Sequence, residues 1–250
     1  DNAAAACGAG CFAEGQGFVS LGTSGVLLAA KDRFAPDPAS AVHTFCHAIP
    51  DRWYQMGVIL AATDCLNWLS RQLGQSAADL ASALPQTASG PSKLLFVPYL
   101  SGERTPHNDA GVRAAFVGLD VAHGPADLTR AVVEGVSFAL RDCLEALRGT
   151  GTDLTSVIAM GGGARSRFWL ETLASTLNLP LSIPAGGEFG AALGAARLGI
   201  AAVTGAPLTD IMTPPVIGAT IAPRDNLTGA YAETWDRYRA VYPAVRTAMA

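Results

Sequence analysis

The chain has 250 residues, 50% of them hydrophobic and 15% charged, against roughly 25% charged in an average soluble domain; this excludes a disordered segment, a coiled coil and a basic nucleic-acid binder. A net charge of −4 means that any bound phosphate must be held by local groups rather than by a general positive field. Mean hydropathy is +0.27, but the apolar stretches break early, at Asp64 within residues 57–69 and at Arg197 within residues 191–203, short of the ~18 uninterrupted apolar residues of a spanning helix; the sequence predicts a soluble chain with no membrane contact.

Residues 18–21 and 26–30 are short apolar runs around Gly22-Thr23-Ser24-Gly25 and predict a β-hairpin. Residues 42–49 and 53–60 predict a second strand pair around Pro50-Asp51. A helix follows over residues 61–73, with Ala62, Leu66 and Leu69 on one face. A Ser/Ala/Pro/Gly-rich stretch, residues 76–92, precedes a strand at 94–99 and a polar, turn-rich segment at 100–109. The next helix starts after Gly124-Pro125, with proline at its first position, and runs to Leu147 with Leu128, Val132, Val136, Leu140 and Cys143 towards the core. Strand–helix alternation then begins: a strand at 156–160, a helix at 166–177, a strand at 181–183 and a helix at 188–198. A last amphipathic helix, residues 231–248, is expected to be bent or shortened by Pro243. Antiparallel strands first and strand–helix alternation afterwards is the order of a ribonuclease-H-like (actin-like ATPase) α/β core, with one domain spanning residues 1–250. Because the sequence starts with Asp1 rather than methionine, inside a segment that reads as structured, we expect it to be part of a longer protein.

Several groups of residues could carry chemistry. The tight turn Leu21-Gly22-Thr23-Ser24-Gly25 can aim backbone N–H groups and two hydroxyls at phosphate oxygens without a lysine; read alone, it also fits an ordinary hairpin turn. Gly161-Gly162-Gly163-Ala164-Arg165-Ser166 follows an apolar strand and opens a helix, where missing side chains admit a base or a ribose. It lacks the G-x-G-x-x-G spacing of a dinucleotide fold, and a plain glycine-rich turn is the alternative. Ala185-Gly186-Gly187-Glu188 could be a third backbone wall, although the small residues that follow are equally explained by close helix packing. Asp1 could serve as a general base or hold the water shell of a metal, or it could be simply an exposed terminal residue. His43, Cys46 and His47 invite a metal reading. In a strand, however, the two histidines share one face and Cys46 takes the other, which favours a structural or substrate-side role. Glu103, Arg104, His107 and Asp109 fit either a solvated loop or a subunit or domain contact. The five cysteines, odd in number and without a C-x-x-C pair, predict buried reduced thiols in a cytoplasmic protein.

Together these segments resemble the carboxy-terminal half of the FGGY carbohydrate kinases, and within them the xylulose kinases. Asp1-Asn2-Ala3-Ala4 is similar to the end of that family's Gly-Gly-Asp-Asn segment. Leu21-Gly22-Thr23-Ser24-Gly25 resembles its phosphate turn, and the segment from Gly161 to Ser166 its adenosine-binding turn. Val42-His43-Thr44-Phe45-Cys46-His47-Ala48-Ile49-Pro50 with Arg52-Trp53, and the stretch from Pro98 to His107, are similar to xylulose kinases rather than glycerol kinases. Phe116-Val117-Gly118-Leu119, leading through Asp127-Leu128 to Ala131 and Glu134, resembles a second family signature. The stretch from Asp109 to Ala115 is looser than the family pattern, and Phe189 is a further departure.

The resemblance implies ATP-dependent phosphorylation of a ketopentose to D-xylulose 5-phosphate, with Mg2+ bridging the nucleotide phosphates between two closing actin-like domains. It implies Asp1 as catalytic base, Gly22, Thr23, Ser24 and Gly25 on the β- and γ-phosphates, and Gly161, Gly162, Gly163 and Ser166 at the adenosine. No metal ligand is assigned. The implied partners are ATP, the sugar, an amino-terminal sugar-binding half absent from this chain and, as an assembly, a homodimer. A kinase for ribulose, gluconate or glycerol is one alternative, disfavoured by the stretch from His43 to Trp53. A non-catalytic actin-like nucleotide-binding module is another, disfavoured by Asp1.

Overall fold

The computed structural model describes residues 1–186 and 190–249. The chain opens with helix α1 (Asn2–Ala9), then the expected hairpin β1 (Gly17–Leu21) and β2 (Gly25–Lys31), and the second pair β3 (His43–Cys46) and β4 (Trp53–Ile59). Helices α2 (Thr63–Leu73) and α3 (Ala77–Ser82) precede two short strands, β5 (Leu95–Val97) and β6 (Ala115–Val117), which pair only with each other. The long helix α4 (Pro125–Gly149) leads into β7 (Val157–Met160), a 3-10 turn (Gly162–Arg165), α5 (Arg167–Leu177) and β8 (Leu181–Pro184). Helices α6 (Gly190–Thr204) and α7 (Leu208–Ile211), strand β9 (Ile217–Ile221) and helix α8 (Asp225–Met249) complete the chain.

The main sheet has the order β3-β4-β2-β1-β7-β8-β9. β2 is antiparallel to both its neighbours, while β1, β7 and β8 run parallel, so the expected ribonuclease-H-like order is what the sheet shows. Strand alternation gives this sheet two apolar faces. Val19, Leu21, Leu27 and Ala29 join the larger core beneath α2, α4, α5 and α8, where Leu140, Leu144 and Leu173 are fully buried. Truncating such a leucine to alanine costs about 2–5 kcal/mol. Phe18, Val26, Leu28, Met56 and Met160 point the other way, into a smaller core under α1. Helix α6 lies against α1, and the contact is backbone on backbone: a Cβ on Gly194 would fall 1.6 Å from the Ala4 carbonyl. Close helix packing therefore accounts for Gly194, the buried small residue of α6, whereas Ala192, Ala195, Ala196 and Gly199 are exposed.

Several expectations need correcting. The sequence does not predict helices α1, α3 and α7 or strands β6 and β9. The last helix begins at Asp225 rather than at residue 231 and continues through the exposed Pro243 to Met249, so proline does not shorten it. Helix α6 extends to Thr204, past the expected end at 198; its expected start at 188, like Gly187, Glu188 and Phe189, lies outside the described residues. All five cysteines are free, and four are buried as expected, but Cys46 is exposed on β3. Among the described residues, no helix is long and apolar enough to cross a membrane.

Candidate nucleotide site

β1 and β7 are parallel neighbours, paired Phe18 to Ile158, Val19 to Ala159 and Ser20 to Met160, so their carboxyl ends open on one edge of the sheet. That edge is where open parallel sheets bind ligands. β1 ends in the turn at Gly22, Thr23 and Ser24, and β7 ends in the glycine turn at 161–163. The two turns touch. Gly161 has φ +92°, and a Cβ there would lie 2.6 Å from the Leu21 carbonyl carbon; one on Gly163 would lie 2.7 Å from the Leu21 Cβ. Close approach requires glycine at both positions, and at Gly161 the left-handed backbone requires it as well.

The first turn is braced from behind by α2. The Thr63 N–H and hydroxyl donate to the Gly22 carbonyl at 2.9 and 2.8 Å, and the Ala62 and Asp64 N–H groups donate to the Thr23 carbonyl at 2.7 and 3.3 Å. With its carbonyls so occupied, the turn presents the exposed Thr23 and Ser24, whose hydroxyls join no hydrogen bond among the described residues. Gly25 plays a different part. It is buried in β2, where a Cβ would strike the Ile59 side chain at 2.6 Å, so its smallness serves packing.

Gly162, Gly163 and Ser166 line a cavity of about 690 Å³. Its walls are mostly apolar, coming from Leu66 on α2, Ala77, Ala78 and Ala81 on α3, and Leu84 and Pro85 beyond it. Ser166 caps α5, its hydroxyl accepting from the Trp169 N–H at 3.3 Å. An apolar cavity with a glycine rim suits a planar base and a ribose. The α3 wall is weakly signalled in the sequence, because three alanines in a six-residue helix carry little periodic pattern. Arg165, also on the cavity, pairs with no acidic group among the described residues.

Asp1 stands exposed at the start of α1, its carbonyl accepting from the Ala5 N–H at 2.8 Å while its carboxylate caps nothing. It lines a second pocket of about 380 Å³ together with Ser20, Met160 and Gly161. The glycine turn therefore joins the two pockets along one edge: Gly161 lines the Asp1 pocket and meets the end of β1 at Leu21 and Gly22, and Gly162 and Gly163 line the large cavity.

Other candidates fall elsewhere. The His47 ring bonds the Cys11 carbonyl at 3.1 Å through Nε2 and accepts from the Ile49 N–H through Nδ1, while His43 stacks on Phe45. Among the described residues, no group of three or more His, Cys, Asp or Glu side chains could hold a metal. Residues 100–109 are not a solvated loop. Glu103 is buried and its Oε1 accepts from the Leu60 and Arg104 N–H groups at 3.0 and 2.8 Å; burial pushes its carboxyl up to about 8. His107 stacks on Tyr242 with ring centres 3.6 Å apart and bonds the Tyr99 hydroxyl, and burial pulls it down to about 4.

Residues 17–203 match the model of the C-terminal domain of the FGGY family of carbohydrate kinases. The chain is 41% identical over 252 residues to the xylulose kinase of Escherichia coli (strain K12), an alignment covering 100% of this chain and 52% of that protein. The crystal structure of a xyloylose kinase from Brucella ovis superposes with a TM-score of 0.96 at 52% identity, over 99% of this chain and 51% of that one. For the xylulose kinase from Rhodospirillum rubrum the TM-score is 0.86 at 27% identity, over 100% and 51%. The chain thus spans about half the length of the curated relatives it matches. The sheet order, the paired turns at its edge and the family match over most of the sequence agree: the chain belongs to the FGGY family of carbohydrate kinases, with their actin-like ATPase fold.

Proposed function

We propose that this chain is the nucleotide-binding half of a cytoplasmic kinase that transfers the γ-phosphate of ATP to D-xylulose, giving D-xylulose 5-phosphate and ADP. The observation that carries this reading is the continuity of a carboxylate, a hydroxyl-bearing turn, a glycine turn and a nucleoside-sized cavity along one sheet edge. The choice of sugar rests on the relatives, several of which are xylulose kinases. The missing half of such a protein would supply the sugar contacts.

Adenosine lies in the cavity against Gly162 and Gly163, with Ser166 at its edge and Gly161 at the join to the Asp1 pocket. Thr23, Ser24 and the amides of their turn donate to the β- and γ-phosphate oxygens. The sugar 5-hydroxyl attacks the γ-phosphorus; as that O–P bond forms, the bond to the β-bridging oxygen breaks, ADP departs and the hydroxyl proton passes to the Asp1 carboxylate. Such transfer depends mainly on positioning and charge stabilisation, which backbone turns supply. Mg2+, when bound, would supply neutralisation of the phosphate charge. The donor set fits an ion carried chiefly by phosphates and water, with Asp1 as the carboxylate that the described residues bring to this pocket, since Mg2+ in such sites takes only one or two carboxylates.

The test is a substrate panel on the intact kinase, comparing D-xylulose with ribulose, gluconate and glycerol by ADP release. We expect kcat/KM for D-xylulose to exceed the others by at least ~10-fold, a ratio within reach of a site that pairs specific hydroxyls. A higher value for another acceptor would reassign the substrate.

A further inference from the structure

Between α3 and β5, residues 83–94 form neither helix nor strand, yet this strap supplies Leu84, Pro85 and Gln86 to the wall of the large cavity. With no neighbouring strand, its buried backbone groups need other partners. Two glutamates and two arginines provide them. The Ala88 N–H donates to Glu171 Oε2 at 3.1 Å, and the Ala88 carbonyl accepts from the Arg224 guanidinium. The Ser92 N–H donates to Glu134 Oε2 at 2.8 Å, and the Gly90 carbonyl accepts from the Arg130 guanidinium. Each glutamate spends its other oxygen on an arginine one turn earlier: Arg130 Nε lies 2.8 Å from Glu134 Oε1, and Arg167 Nε lies 2.9 Å from Glu171 Oε1.

The arrangement is therefore duplicated, an Arg-x-x-x-Glu pair on each of two adjacent helices, α4 and α5, gripping one strap. Glu134 and Glu171 are only 1% and 5% exposed. Burying a carboxylate is costly unless its lone pairs are filled, and here the strap amides fill them. An irregular segment without such partners belongs to the loose end of a protein's local stability, and a ligand packing against it would bear the cost of ordering it.

We infer that Glu134 and Glu171 are positioning residues for the nucleotide: they fix the strap that walls the cavity, and so set nucleotide affinity without touching the nucleotide. This rests on the cavity being the nucleoside seat. The same observation gives Glu134 a physical role, since it closes the second signature segment by anchoring Ser92.

The test uses the intact kinase with Glu171→Ala, Glu171→Gln and Arg224→Ala. It reads hydrogen exchange at residues 85–92, the dissociation constant for ADP, and kcat with both Michaelis constants. Glu171→Ala should speed exchange at Ala88 and weaken ADP about tenfold, the effect of losing one charge-assisted buried bond, while kcat and the sugar KM hold. Glu171→Gln keeps an acceptor for the Ala88 N–H and should restore most of the affinity. Arg224→Ala, at a half-exposed position, should show the same pattern more mildly, and it carries the test if Glu171→Ala fails to fold. Unchanged exchange at Ala88 would overturn the clamp while leaving the cavity's assignment standing. Faster exchange with unchanged ADP affinity would instead overturn that assignment, and this inference with it. A fall in kcat without a change in nucleotide affinity would also refute a positioning role.

Discussion

Replacing Gly162 by valine separates ligand contact from fold integrity, because the three glycines of its turn differ in what surrounds them. At Gly161 and Gly163 a Cβ would press on Leu21 at 2.6 and 2.7 Å, so substitution there shifts the end of β1 and confounds any kinetic effect. At Gly162 no atom lies within 4 Å of where a Cβ would stand, φ is not left-handed, and the residue is exposed on the cavity. In the free protein the isopropyl group projects into open space, so stability should change by no more than ~0.5 kcal/mol. With adenosine seated there, the added methyl groups occupy its volume, and overfilling a packed site costs about 1–3 kcal/mol, or about 5- to 150-fold in affinity. The assay is a thermal melt followed by steady-state kinetics with ATP varied at saturating xylulose, and the converse. We expect KM for ATP to rise within that range while Tm and KM for xylulose stay near wild type. An unchanged KM for ATP, or a rise confined to the sugar, would refute adenosine in this cavity.

Thr23→Val keeps the branched shape and removes a hydroxyl that has no partner among the described residues, so the fold should be untouched while turnover falls about a hundredfold, the usual loss for a donor to developing charge; wild-type turnover would reduce the segment to a hairpin turn. Asp1→Ala should abolish phosphorylation in an ADP-release assay yet leave ADP binding by calorimetry largely intact, and residual turnover near wild type would remove Asp1 from the chemistry. Glu103→Gln tests a buried acid. Its carboxyl ionises at about 8 in the fold but in the ordinary carboxylate range when unfolded, so between those values the unfolded chain loses a proton that the folded one keeps, and stability declines as pH rises. Urea midpoints for the two proteins should nearly coincide at pH 5 and diverge by pH 9, with the glutamine variant the more stable; a constant offset across that range would contradict the assignment.

What the sequence disclosed about this fold depended on whether an element buries one face. β1, β2 and β4 alternate between two cores, and α2 and α4 carry clear apolar stripes, so all five were legible. Helix α1 is apolar on every side and packs through Gly8 against the backbone of α6, which leaves no amphipathic period to find. Strand β9 is an exposed edge, so alternation is missing there too. Pro243 misled because its ring sits on the solvent side of α8. The two turns of the site were visible because glycine is needed where chain passes close to chain, as at Gly161 against the Leu21 carbonyl and at Gly25 and Gly163 against the Ile59 and Leu21 side chains, and composition records that directly. The strap and its clamps were not: buried Glu134 and Glu171 look in sequence like surface members of ordinary helical ion pairs, and only burial and the partners at Ala88 and Ser92 distinguish them.

The meeting of Gly161 with Leu21 also limits how such a chain can diverge. One residue added to the Gly22–Ser24 loop would draw its carbonyls away from the first amides of α2, and one added between Gly161 and Gly163 would open the gap to β1. Neither change can be absorbed locally, since β1 and β7 are locked in register up to Ser20 and Met160. The strap, whose clamps begin only at Ala88, can absorb one in the cavity-lining stretch before that residue. Chains built on this plan should therefore vary in length along the cavity's outer wall and hold both turns to a fixed count, so that the distance between the phosphates and the base stays constant while the fit around the base is free to drift.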